Sequence, residues 1–236
     1  NDIFFEAVKS IRTGLVIGTV TTLVMLPFAL LFGTAAGYFG GWIDDVVQYI
    51  YTTLSSIPGV LLIAASILSI QIFIANHSHW FTSMESRADA RLLSLCIILG
   101  ITSWTNLCRV LRAETLKLRE LDYIQAAKAL GSRWYTIILK HILPNLMHLI
   151  LIALVLDFSL LVLAEAILTY IGIGADPTSY SWGNMINTAR LELAREPVVW
   201  WPLIAAFFMM FFFVLSANLF ADCVRDAFDP RKGHLS

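Results

Sequence analysis

From Thr13 to Ile43 the chain carries no charged side chain. A helix rises about 1.5 Å per residue, so a run of this length is enough to cross a hydrocarbon core of about 30 Å. Inside a bilayer there is no water to satisfy backbone N–H and C=O groups, and an isolated run this long satisfies them by becoming a helix. That one feature sets the class of the fold. Pro27 is predicted to kink the helix without ending it. Gly14 and Gly18, and again Gly33 and Gly37, stand four apart, the spacing at which helices approach closely. Ahead of the run, Ile3, Phe4, Ala7, Val8 and Ile11 share one face, as in a helix lying at the membrane surface or leading into the span.

The rest of the chain continues in the same vein. Of 236 residues 58% are apolar and only 14% charged, which excludes an ordinary soluble domain. The polar breaks divide it into five spans, at about 13–39, 46–75, 92–110, 142–173 and 198–221, within one membrane domain covering 1–236. Gly40-Gly41 and Asp44-Asp45 form the first turn, with Asp45 predicted to cap the next helix. Val46–Ser56 mixes Gln48, Thr52, Thr53, Ser55 and Ser56 with aliphatic residues, and reads as a helix packed among other protein helices. Pro58-Gly59 then interrupts the second span. Irregular backbone at that depth either lines a passage or is a simple kink, and both readings stay open. Trp182, Met185, Ile186, Ala189 and Leu193 recur at helical spacing, as in an amphipathic helix resting at the membrane face.

Several chemistries are excluded. Net charge of −1 says nothing about nucleic acid, and with no basic stripe to suggest it no nucleic-acid partner is expected. Cys96, Cys108 and Cys223 have no metal-ligand spacing and read as free thiols. His77 and His79 stand two apart in the polar stretch 76–91 without a third ligand, so they read as a solvated loop and no metal is expected. There is no phosphate-binding Gly-rich loop ending in Lys-Ser/Thr and no recognisable nucleophile, base and acid set, so neither ATP binding nor catalysis is expected of this chain.

Two polar features remain. Asp157 and Glu165 lie inside the 142–173 span, where an ionised carboxylate must face protein or water. They are about 80° apart around the helix. They suit a polar strip along a translocation path, together with Pro58, or hydrogen bonds to neighbouring helices, or protonation in place. The second feature is the longest polar interruption, Asp122–Asn145. Asp122 is predicted to cap a helix with Gln125 reaching back. Tyr123, Ala126, Ala127 and Leu130 form a small apolar face, Gly131 supplies a left-handed elbow, and Ser132 caps a second helix that Pro144 must kink. A helix this short is marginal alone and needs a partner to dock against.

The pattern Gln125-Ala126-Ala127, Gly131 and Leu143-Pro144 resembles the EAA loop of ABC importer permeases. Gln125 stands where that family has Glu, and His141 where it has a branched aliphatic residue. His141–Asn145, Gly37–Trp42, Ile57-Pro58, Ser181–Gly183 and Arg225–Pro230 are similar to the peptide/nickel branch, in the same order along nearly the whole chain. The resemblance implies an all-α membrane protein of the type I importer fold in the bacterial cytoplasmic (inner) membrane, with a cytoplasmic coupling helix and an external amphipathic helix. It implies a coupling loop at 112–141, and Tyr123, Gln125, Ala126, Ala127, Leu130, Gly131 and, just beyond it, Pro144 as the residues that couple to an ATPase. Expected partners are a second permease subunit, two ATPase subunits that bind ATP and Mg, and an external solute-binding protein. With the coupling loop inside, Lys and Arg divide ten inside against six outside, as the positive-inside rule requires. That orientation leaves Asn1 outside and implies a further span upstream. The function so implied is peptide import. A nickel chelate or other solute, a proton-coupled transporter working through Asp157 and Glu165, and a structural membrane subunit are the alternatives.

Overall fold

The computed structural model describes residues 2–77, 83–194 and 196–228. The regular structure among them is helical: α1 (Ile3–Phe39), α2 (Gly41–Ser56), α3 (Gly59–Asn76), α4 (Met84–Leu118), α5 (Asp122–Ala129), α6 (Trp134–Ile137), α7 (Leu143–Tyr170), α8 (Trp182–Glu192) and α9 (Trp201–Phe228). A π turn at Ile138–Ile142 joins α6 to α7. Five of the described helical stretches are long and apolar enough to cross a membrane: Ile3–Phe39, Gly59–Asn76, Met84–Leu118, Trp134–Tyr170 and Trp201–Val224.

The amphipathic N-terminal residues do not lie apart from the first span. They are its opening turns, and Asp2 caps the combined helix by accepting from the Phe5 N–H. Pro27 sits within α1 without ending it. The helix stops at Gly40 and Gly41, whose φ values of 65° and 54° belong to the left-handed region that glycine adopts at little cost. α2 therefore begins at Gly41, and Asp45 lies inside its first turns instead of capping it. Within this chain only Val47 and Tyr51 of α2 are buried. Pro58 ends the pairing, and a new helix starts at Gly59. The stretch 46–75 is thus two helices, of which α3 alone has the length and apolarity of a span.

α1 and α4 make the tightest crossing. A Cβ on Gly33 would lie 2.9 Å from the Cys108 carbonyl oxygen, and one on Gly37 would lie 2.5 Å from Thr115 Cβ. From the other side, a Cβ on Gly100 would meet Val24 at 2.6 Å. Of the two glycine pairs four apart, Gly33 and Gly37 serve backbone approach between these two helices, whereas Gly14 and Gly18 make room for Trp182 and Phe158. α4 starts at Met84, eight residues before its expected apolar start, because Ser83 and Ser86 form a reciprocal capping box. His79 lies outside the described residues, while His77 ends α3 and stacks on Phe73.

α8 turns its apolar face inward: Trp182 and Met185 are buried with Ala7 of α1, Val162 of α7 and Ala206 of α9, and Ala189 is buried as well. The apolar face of this amphipathic helix packs on protein, and Trp182 Nε1 donates to the Ala7 carbonyl at 3.1 Å. α9 runs on to Phe228, past the expected boundary at 221. Much of α3 and α9 faces outward, including Phe207, Phe208, Phe211 and Phe212. Such a surface is at home against hydrocarbon or another helix.

Candidate coupling segment and polar cavity

The segment after α4 is held as a built corner. α5 ends in a Schellman motif: Ser132 N–H donates to the Ala127 carbonyl and Gly131 N–H to that of Lys128, each at 3.0 Å. Gly131 has φ of 81°, the left-handed residue the sequence predicts. The predicted side-chain caps are absent. α5 has Leu121 as its N-cap residue and α6 has Arg133, neither with a capping side chain, so Asp122 and Ser132 do not act as caps. Gln125 does reach back, and its Nε2 donates to the Arg119 carbonyl at 2.8 Å.

Pro144 acts one turn earlier than a simple kink. It has no N–H to give and its ring would crowd the carbonyl four residues back. The helix widens ahead of it into the π turn, with Leu143 N–H donating to the Ile138 carbonyl. Asn145 Nδ2 bonds the His141 carbonyl at 2.6 Å and the Tyr123 hydroxyl at 3.1 Å, tying α5 to the start of α7. Ile124 of α5 and Ile137 of α6 are fully buried with Leu107, Leu111, Ile142 and Leu146. These two anchors and Asn145 were not picked out by sequence reasoning. An apolar residue between the stripe positions gave the signal for Ile124.

Opposite Ile124, the predicted docking residues face out. Leu130 is 87% exposed and Tyr123 46%, with Ala126 and Gln125 beside them and Ala127 partly buried. The corner thus has an inner side fixed to the bundle and an outer side with apolar groups uncovered.

Arg112 of α4 and Arg119 just after its end fasten the neighbouring helix ends. Arg112 forms a two-pronged pair with Asp44 of α2, its Nη2 at 2.6 Å from Oδ2 and its Nε on Oδ1. That hydrogen bonding holds the Asp44 carboxyl below the usual carboxylate range, overcoming the opposite effect of burial. Arg119 Nη1 donates to the Gly37 carbonyl at 3.1 Å, at the C-terminal end of α1, where a cation is favoured. Lys128 of α5 lies over the Tyr38 ring at 5.0 Å.

The three path candidates part company. Asp157 lines a cavity of about 340 Å³ between α2, α3, α4 and α7, with Ser55, Thr102, Ser103, Thr105 and Asn106. Ile57 and Gly59, the two neighbours of Pro58, line the same cavity. Glu165 does not reach it. It is 1% exposed and accepts from Thr169 Oγ1 at 2.7 Å, and that oxygen accepts the Ala175 N–H at 2.9 Å. The backbone break and one acid therefore share a cavity, while the other acid secures the loop after α7.

Residues 29–234 match the family described as binding-protein-dependent transport system inner membrane component. The chain is 30% identical to the glutathione transport system permease protein GsiD of Pectobacterium atrosepticum, across 98% of this chain and 69% of that protein. It is 29% identical to the dipeptide transport system permease protein DppC of Lactococcus lactis, across 96% of this chain and 60% of that protein. With the oligopeptide transport system permease protein OppC of Mycobacterium bovis it shares 26% identity, over 97% and 72%. The chain belongs to the family of inner membrane components of binding-protein-dependent transport systems.

Proposed function

We propose that this chain is a transmembrane subunit of an ATP-driven importer of peptides, and that α5 and its elbow are the part an ATPase subunit grips. The observation that carries this reading is the two-sided corner: Ile124 and Ile137 bury one side, and Tyr123, Ala126 and Leu130 leave the other bare. An exposed apolar face on a short helix needs a partner. The names of the relatives, which specify glutathione, dipeptide and oligopeptide transport, favour a peptide as solute. Nickel chelates remain the alternative cargo.

In this mechanism the chain does no bond chemistry of its own. ATP and Mg are bound by the partner, whose closure moves α5. Because α5 is tied to α7 through Ile124, Ile137 and the Asn145 contact, that motion passes into α7 without a flexible link. α7 carries Asp157 along one wall of the polar cavity, so displacement of α7 changes the cavity's shape and access. Arg112 and Arg119 keep the ends of α1 and α2 with α4, giving the lever a fixed frame. A second permease subunit and an external binding protein complete the assembly.

Co-purification with an ATPase, followed by transport measured after that ATPase's nucleotide site is inactivated, tests the reading. Loss of peptide uptake with the complex intact is expected. Uptake that persists, driven instead by a proton gradient, would overturn it in favour of a secondary transporter.

A further inference from the structure

We propose that the Asp157 cavity is a cation-accepting subsite that receives the ammonium group of a transported solute. This rests on the reading of the chain as a pathway subunit and adds the chemistry of what it takes.

The lining decides the sign of charge. Asp157 is its one ionisable residue, and the polar remainder is the hydroxyls of Ser55, Thr102, Ser103 and Thr105 and the amide of Asn106. No Lys, Arg or His lines it. Among the described residues nothing donates a hydrogen bond to the Asp157 carboxylate, unlike Asp44 and Glu165. A carboxylate at that depth costs several kcal/mol unless water, a proton or a cation compensates.

The backbone leaves that sign unchanged. α2 ends at Ser56 beside the cavity, and a helix C-terminus carries about half a negative charge on its unpaired carbonyls. α3 begins at Gly59, and its N-terminus opposes this with a partial charge of similar size. The two helix ends offset each other, leaving the formal charge of Asp157 in control. The cavity's volume is at the low end for a ligand pocket, fitting a terminal group instead of a whole peptide. An ammonium has three donors to meet the carboxylate and flanking hydroxyls.

The test uses the complete transporter in lipid nanodiscs, with Cys96, Cys108 and Cys223 replaced by alanine and a single Ser103→Cys in the cavity wall. Its rates of reaction with trimethylammonioethyl methanethiosulfonate and with anionic sulfonatoethyl methanethiosulfonate are compared. With Asp157 present the cationic reagent should be preferred, and Asp157→Asn should lower that preference about tenfold. Asp157→Glu should keep it, which separates charge from misfolding. An unchanged preference in Asp157→Asn, or no reaction at Ser103→Cys in any nucleotide state, overturns the proposal.

A second arm measures uptake of a lysine-containing peptide relative to a glutamate-containing one of equal length. The ratio between Asp157 and Asp157→Asn complexes cancels selection by the binding protein, and it should fall. If the reagent preference falls but the peptide ratio stands, the site holds an inorganic cation and the assignment to a solute is overturned. If the unaltered complex takes up no peptide at all, the peptide-import reading fails, and the labelling arm still decides the sign of the cavity.

Discussion

Two carboxylates on one helix live in opposite surroundings. Glu165 is sealed in a knot with Thr169 and the Gly174–Ala175 backbone, and Gly183 is packed so close that a Cβ there would sit 2.5 Å from Thr169 Cβ. Asp157, eight residues earlier, faces a cavity ringed by hydroxyls and has no hydrogen-bond donor among the described residues. The difference teaches how to sort acids within a span. One that is surrounded by donors and close-packed backbone holds the fold, whereas one left without donors beside a polar space is available to something that moves.

The largest effect expected from this contrast is on stability. Glu165→Leu removes an acceptor from a buried network and should lower the stability of the assembled chain by about 2–3 kcal/mol, read by thermal unfolding in detergent. Asp157→Leu breaks no bond and should leave that midpoint nearly unchanged while reducing uptake. Equal loss of stability in both would erase the distinction.

Asp44 sharpens it from a third direction, as a carboxylate whose partner is a charge. Its folded pKa is depressed by the Arg112 hydrogen bonds, so the stability it contributes is present above the ordinary carboxylate pKa of about 3.9 and is lost as pH falls through the folded value. Asp44→Asn should therefore cost about 1–2 kcal/mol at every pH from 8 to 5, with the gap from the unaltered protein closing only below about pH 4. A gap that closes near neutrality would contradict the Arg112 pairing.

The smallest effect is expected at Gly131, where two kinds of glycine can be told apart. Gly183→Ala, in the Glu165 knot, meets side chain and backbone within 3 Å and should cost about 1–3 kcal/mol through overpacking. Gly131→Ala has open space around it, and only the left-handed backbone resists, at about 1 kcal/mol. Gly131→Asn should cost less still, because Asn tolerates that conformation, whereas Gly131→Val should cost more and weaken ATPase association. Thermal midpoints of the purified complex order the four.

Much of this was legible in the residues. The uncharged run at Thr13–Ile43, the Pro58-Gly59 break and the Gly131 elbow each rest on local chemistry, and the described helices agree with them. Boundaries were read less well where helices outrun the apolar slab: Glu85, Arg87, Asp89 and Arg91 look like a loop by charge but stand on the first turns of α4. Caps failed at Asp122 and Ser132 because each helix starts with its backbone already placed by packing of Ile124 and Ile137. The pairing of Asp44 with Arg112 spans 68 positions, and no periodicity reports a contact between distant segments. Helix rotation was likewise out of reach, so the residues left open whether Asp157 and Glu165 share a path or bond to neighbouring helices, and in the fold only Asp157 lines the polar cavity.

The central claim is that the outer side of the α5 corner is covered by an ATPase subunit. Leu130, 87% exposed, is its most uncovered large side chain. With the three native cysteines replaced by alanine, Leu130→Cys should react rapidly with a hydrophilic maleimide in the permease purified without ATPase subunits. In the complete complex in nanodiscs the rate should fall by about tenfold or more, while a cysteine at exposed Met84, far along α4, stays unchanged. Equal rates at position 130 with and without bound ATPase, in complexes shown to be assembled, would contradict the account.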